Sequence, residues 1–172
     1  MNVLEKFKDI NTFIFDVDGV LTDSTLIVTE KGELLRTMNA KDGYAMRKAI
    51  DEDFLICIIT GGKSEGVALR LEGLGITEIY SGISDKVECY HKIIEKYDVN
   101  PEHILYMGDD LPDYEVMRLV GLPTCPSDSV PEIKSVSQYI SPIKGGYGCV
   151  RDVIEKVLKL QGCWLNTPFK AI

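Results

Sequence analysis

The chain has 172 residues, 45% of them apolar and 27% charged, with a net charge of −8 and a pI near 4.8. That length suits one compact domain that needs no disulfide or metal staple. The acidic balance and the lack of any Lys/Arg run argue against nucleic acid or an anionic membrane surface as partner.

The longest apolar run, Phe54 to Ile59, is far too short to span a membrane. Glu5, Lys6, Lys8 and Asp9 stand where a secretory leader would need apolar residues, so a cytoplasmic protein is expected. The five cysteines (Cys57, Cys89, Cys125, Cys149 and Cys163) are scattered and form no Cys-x-x-Cys pair. Free buried thiols are expected, with neither a disulfide framework nor a zinc site.

In chain order, Thr12 to Val17 reads as a buried strand that runs into Asp18-Gly19. Leu26 to Val28 and Glu33 to Thr37 flank Lys31-Gly32, which predicts a β-hairpin. Asp42 to Ile50 has helical spacing. Phe54 to Ile59 is a second buried strand, stopped by Thr60-Gly61-Gly62. A helix follows from the cap residue Ser64 to Leu74, closed by Gly75. Glu78 to Tyr80 is a brief strand, Asp85 to Tyr97 a helix, and Ile104 to Met107 a strand ending at Gly108-Asp109-Asp110. Leu111 to Leu119 is expected to be helical, with Pro112 in its first turn. Strands around Pro123 to Cys125 and Tyr139 to Ile140 precede a last helix, Val150 to Leu160, and a tail from Gln161. Strands alternating with helices predict an α/β fold, a doubly wound, Rossmann-like parallel sheet with helices on both faces. Residues 1–160 form the expected single domain and 161–172 its tail. Ligands of such sheets bind beyond the carboxyl ends of the strands, which is where the polar clusters fall.

Asp16 and Asp18 are two residues apart at the end of the first strand, so both carboxylates can face one site. One reading makes Asp16 a nucleophile toward phosphorus and Asp18 the acid and base for the leaving alcohol and water. The bland alternative is a capped Asp-Gly turn. An EF-hand loop is disfavoured because the bidentate Glu near its end is missing. Thr60 and Gly61 offer a hydroxyl and an unshielded N–H to phosphate oxygens, or simply a helix-capping turn. Lys86 can neutralise charge on a phosphoryl group, or be a surface lysine. Asp109 is the candidate partner of Asp16 in holding Mg²⁺, with the backbone carbonyl of Asp18 as a further ligand. Asp110 and Asp113 stand behind them, Asp113 to orient Lys86 or a metal-bound water. Each bland reading is plausible singly. Asp, Thr, Lys and Asp at successive strand ends together match phosphoryl transfer by positioning and charge neutralisation.

With Asp16-Val-Asp-Gly-Val20, Thr60-Gly61, Lys86 and Gly108-Asp-Asp-Leu-Pro-Asp113, the chain resembles the haloacid dehalogenase superfamily. Spacings of 44, 26 and 23 residues between Asp16, Thr60, Lys86 and Asp109 leave no room for a large cap domain. Asn39-Ala-Lys-Asp-Gly43, Leu74-Gly-Ile76, Asp85-Lys86 and Gly145-Gly-Tyr-Gly148 before Arg151-Asp152 narrow the likeness. They resemble the capless phosphatases of 3-deoxy-D-manno-octulosonate 8-phosphate (KDO 8-phosphate), over about Ile10 to Leu160.

The resemblance implies release of phosphate from that sugar acid through an aspartyl-phosphate, in lipopolysaccharide precursor synthesis. It also implies a homotetramer assembled partly by the hairpin, with Arg70 reaching a neighbour's sugar carboxylate. The segment from Gly145 and the tail would fold over an adjoining site as a lid, where Trp164 and Phe169 would cover a neighbour or close that lid. Relatives acting on a nine-carbon 9-phosphate sugar acid carry Glu after Thr-Gly. Gly62 stands there instead, beside Gly61 in the expected substrate cradle, which favours the eight-carbon substrate. A phospho-acceptor signalling domain is the alternative from another class. Its acceptor Asp would end the strand that here ends in Thr60.

Overall fold

A computed structural model describes residues 2–172. Six strands form one all-parallel sheet in the order β5-β4-β1-β6-β7-β8. They are β1 (Thr12–Phe15), β4 (Leu55–Ile59), β5 (Glu78–Tyr80), β6 (Ile104–Met107), β7 (Leu122–Cys125) and β8 (Tyr139–Ile140). A separate antiparallel hairpin pairs β2 (Ile27–Val28) with β3 (Leu34–Leu35).

The four inner strands are buried on both faces because both carry helices, and alternate residues feed two cores. Phe13, Phe15, Ile56, Ile58, Leu105 and Met107 join the core under α2 (Ala40–Asp51), α3 (Glu65–Gly73) and α7 (Cys149–Leu160). Ile14, Cys57, Ile59, Ile104 and Tyr106 join the core under α4 (Lys86–Tyr97), α5 (Tyr114–Met117) and α6 (Pro131–Val136). In α7, Val150, Val153, Ile154, Val157 and Leu158 form one apolar stripe, and all are buried. Four of the five cysteines are buried and all are free.

Several elements differ from the sequence expectations. A first turn of helix, α1 (Val3–Lys6), is closed by an Asn2/Glu5 capping box. The helix expected from Asp42 starts two residues earlier, because Asn39 caps it by accepting from the Lys41 and Asp42 N–H groups. The helix expected over Leu111 to Leu119 is a 3₁₀ turn, Leu111–Asp113, followed by the single turn of α5. Proline at its second position favours such a start, and the Asp113 side chain is drawn into the interior. The short α6, with Pro131 in its first turn, is a further helix that the expected elements do not include.

Chain order runs from β1 outward through β4 to β5, then crosses to β6, β7 and β8 on the other side. The crevice of a sheet wound this way opens where the direction reverses, beyond the ends of β1, β4 and β6. No helix among the described residues is long and apolar enough to cross a membrane.

Candidate active site

Asp16 follows β1 directly, and the chain then makes a wide turn over Val17–Leu21 closed by Thr22 N–H to the Val17 carbonyl at 3.1 Å. Gly19 sits in this turn at φ +91°, where a side chain is strained. A Cβ there would also lie 1.9 Å from Asp109 Oδ2, so its absence lets the Asp109 carboxylate close on the turn.

Around this turn the ends of β4 and β6 and the start of α4 deliver the other groups. Asp16 accepts from the Val17 N–H at 2.7 Å through Oδ1 and pairs with Lys86 Nζ at 2.9 Å through Oδ2. Lys86 Nζ also donates to Asp113 Oδ1 at 2.7 Å. The same oxygen accepts from the Tyr106 hydroxyl at 2.7 Å, and Asp113 Oδ2 accepts from the Asp109 N–H at 3.1 Å. Asp113 is fully buried and both its oxygens are engaged, so it holds Lys86 in place. Gly108 permits this approach, since a Cβ there would meet Asp113 Cβ at 2.4 Å. Thr60 Oγ1 accepts from the Gly62 N–H at 3.2 Å, which leaves its own proton to donate outward. Asp110 accepts from the Leu111 N–H at 2.8 Å and is exposed at the rim.

Asp16, Asp18, Thr60, Gly61, Lys86 and Asp109 line one cleft of ≈ 340 Å³, and Gly62 and Asp110 border it. Asp113 lies buried behind the cleft, and among the predicted residues only Arg70 is away from it. It is exposed on α3, and its guanidinium lies close over Gly43. Two contributors escaped the sequence reading: Arg36, which pairs with Asp18 at 2.6 Å, and Tyr106, which looked like one more strand aromatic.

Asp16, Asp109 and Asp113 each bring an oxygen within 4.8 Å of the others. These three carboxylates face one ammonium, an excess of negative charge that a single divalent cation neutralises. Burial, then the charge of Asp113, pushes Asp16 up to about 7 against the opposing pull of Lys86. Burial, then the charges of Asp16, Asp113 and Asp110, pushes Asp109 up to about 8. Burial alone would lower Lys86, but Asp113 and Asp16 outweigh it and its ammonium is held more firmly than usual. Asp109 Oδ1 is buried without a hydrogen-bond partner. An acceptor oxygen left bare among crowded carboxylates fits a hard cation. Asp113 is fully buried behind the cleft, whereas Asp16 and Asp109 line it and are the side chains placed to hold the ion.

Within its own chain the glycine segment packs against the turn after β1. Gly146 N–H bonds to the Val20 carbonyl at 3.0 Å, and Gly145 N–H to Asp128 at 3.0 Å. A Cβ on Gly145 would stand 1.9 Å from the Gly19 carbonyl oxygen. The segment braces its own catalytic turn. The tail likewise returns to its own chain as far as Thr167. Trp164 is buried, edge-on to Tyr44 with the Arg151 guanidinium over its ring. Lys48 Nζ donates to Asn166 at 2.9 Å and Thr167 at 2.7 Å. Leu165 and Phe169 stay exposed.

Residues 72–148 match the family model of haloacid dehalogenase-like hydrolases. Over 161 residues the chain is 40% identical to the 3-deoxy-D-manno-octulosonate 8-phosphate phosphatase of Escherichia coli strain K12, covering 94% of this chain and 86% of the relative. Its fold is similar to the crystal structure of the phosphatase of that name from Yersinia pestis, with a TM-score of 0.93 and 37% identity, over 96% of this chain and 89% of that one. It is also similar to the Moraxella catarrhalis phosphatase of the same name, solved in complex with a magnesium ion, a phosphate ion and a KDO molecule. There the TM-score is 0.89 and the identity 33%, over 93% and 92% of the two chains.

Proposed function

Because the chain belongs to the 3-deoxy-D-manno-octulosonate 8-phosphate phosphatases among the haloacid dehalogenase-like hydrolases, we propose that it works through an aspartyl-phosphate on Asp16. It is a phosphomonoester hydrolase that converts KDO 8-phosphate to the free sugar acid and phosphate. The observation that carries the mechanism is the meeting of Asp16, Thr60, Lys86 and Asp109 around one cleft.

Asp16 attacks phosphorus, the P–O bond to the sugar breaks, and Asp18 gives its proton to the leaving oxygen. Water then attacks the aspartyl-phosphate, Asp18 takes the proton, and the bond from Asp16 to phosphorus breaks. The Thr60 hydroxyl and the Gly61 N–H hold phosphoryl oxygens, and Lys86, fixed by Asp113, offsets their charge. Mg²⁺, held by Asp16, Asp109 and the Asp18 backbone carbonyl, supplies further charge neutralisation when bound. Gly62 leaves the border of the cleft without a side chain to hydrogen-bond a longer substrate, which suits the eight-carbon acid. A direct test compares phosphate release from KDO 8-phosphate and from a nine-carbon 9-phosphate acid. The expected result is a kcat/KM at least about tenfold higher on the former, one missing polar contact being worth that much. Equal or better turnover of the nine-carbon compound overturns the assignment.

The working unit is a single domain, residues 1–160, with 161–172 as its tail, in a cytoplasmic homotetramer. Leu26, Ile27, Val28, Leu34 and Leu35 are all exposed on a two-stranded hairpin, too small a sheet to be stable alone in water. A second copy is the natural cover for it, and Arg70, exposed on α3, is free to reach a neighbour's sugar carboxylate. Sedimentation equilibrium is expected to give four times the 19.2 kDa chain mass. A single-chain mass at micromolar concentration contradicts the assembly.

A further inference from the structure

The hairpin also sends one charged side chain into the active site. Arg36 directly follows β3, and its guanidinium grips Asp18 with two N–H groups, Nε on Oδ1 at 2.6 Å and Nη2 on Oδ2 at 3.2 Å. The third nitrogen, Nη1, donates to the Leu34 carbonyl at 3.3 Å, which ties the fork back to its own strand. The Arg36 side chain is only 5% exposed, whereas that of Asp18 is 36% exposed. No other group among the described residues hydrogen-bonds the Asp18 carboxylate. Gly62 makes room for the pair: a Cβ there would lie 3.0 Å from Arg36 Nη2 and 3.1 Å from Asp18 Oδ2.

We propose that Arg36 is a positioning residue for Asp18, carried into the site by the β2–β3 hairpin, and that it serves the step in which Asp18 takes a proton from water. The inference rests on the reaction proposed above and deepens it. Asp18 is a partly exposed side chain on a turn, and Arg36 supplies its hydrogen bonds. A two-point guanidinium fork sets both the plane and the placement of a carboxylate, which a single contact does not. The fork only donates, so it matches a group presenting two acceptor oxygens. That is Asp18 after its proton has gone to the leaving sugar and before water is activated. In this step water oxygen bonds to phosphorus, its proton passes to Asp18, and the bond from Asp16 to phosphorus breaks. Arg36 neither gains nor loses a proton. A base displaced by about 1 Å costs roughly a hundredfold in rate.

The test uses the full chain with Arg36→Gln and Arg36→Lys, KDO 8-phosphate and Mg²⁺, by steady-state assay and rapid acid quench. For Arg36→Gln, kcat is expected to fall about 10- to 100-fold with KM within about threefold of wild type. Aspartyl-phosphate should accumulate in the first turnover, because its hydrolysis has become the slow step. Arg36→Lys, with the charge but without the fork, should recover part of kcat. A raised KM at unchanged kcat would make Arg36 a substrate contact, and overturn the proposal. So would a kcat within about twofold of wild type, or a slow variant with no accumulated phosphoenzyme. Sedimentation at the wild-type mass shows that assembly is intact; if Arg36→Gln alone loses that mass, Arg36→Lys carries the same comparison. Turnover by the wild-type protein tests the function itself, so the two readings fail separately.

Discussion

Replacing Asp16 with Asn is expected to lower kcat at least about a thousandfold, since removing a nucleophile leaves only binding and charge stabilisation. The amide has the shape of the carboxylate but no lone pair able to form a stable bond to phosphorus. Lys86 keeps its contact with Asp113 in the variant, so the cleft should hold its form. Wild type quenched in acid during turnover with radiolabelled substrate should carry a covalent phosphate, and the variant none. Stability should move the other way. Asp16 is buried, and burial together with Asp113 makes its anion costly enough to push it up to about 7. Replacing it with a neutral isostere removes that cost, so the metal-free variant should melt at or above the wild-type temperature. An Asp16→Asn protein that turned over within about tenfold of wild type would exclude the covalent route.

The parts of this architecture legible in the sequence are those fixed by short-range pattern. β1, β4 and β6 are predominantly apolar runs, and Asp16, Thr60 and, one residue beyond Gly108, Asp109 follow them into the cleft. Strand ends and the start of α4 place Asp16, Thr60, Lys86 and Asp109, so their joint meaning survives in linear order. What the sequence hides depends on long-range placement. Arg36 meets Asp18 only because the hairpin folds back over the first turn, eighteen residues away. Tyr106 alternates into the second core, where its ring packs like any aromatic while its hydroxyl supports Asp113. Asp42 was read only as the start of a helix. It accepts from the Arg151 N–H at 2.8 Å and so caps α7, whose own cap residue Gly148 has no side chain to offer. The bracing role of the Gly145 segment is hidden for a similar reason. Glycine there permits contact with the Gly19 carbonyl, a need that composition cannot distinguish from flexibility.

Removing the divalent cation is expected to abolish turnover and to make stability fall as pH rises. In the metal-free protein Asp16 titrates at about 7 and Asp109 at about 8, both far above the ordinary 3.8. Between those limits the folded chain holds protons that the unfolded chain has released, so stability declines with increasing pH. The favourable contribution is complete below about pH 4 and is lost as pH passes through 7 to 8. Mg²⁺ competes with those protons for the same oxygens, so its gain should be largest where both groups are ionised. At a hundred times its dissociation constant a ligand of the folded state adds about 2.7 kcal/mol, or roughly 5–10 °C for a chain of this size. Thermal melts with chelator should therefore fall from about pH 4 to about pH 8 and level off above it, and Mg²⁺ should erase most of the drop at the upper end. Asp109→Asn, which removes one of the two carboxylates lining the cleft that would hold the ion, should lose the metal-induced rise along with activity. Phosphate release that survived exhaustive chelation, with melts indifferent to Mg²⁺ at the higher pH, would leave the bare Asp109 oxygen without a purpose and the charge argument without a cation.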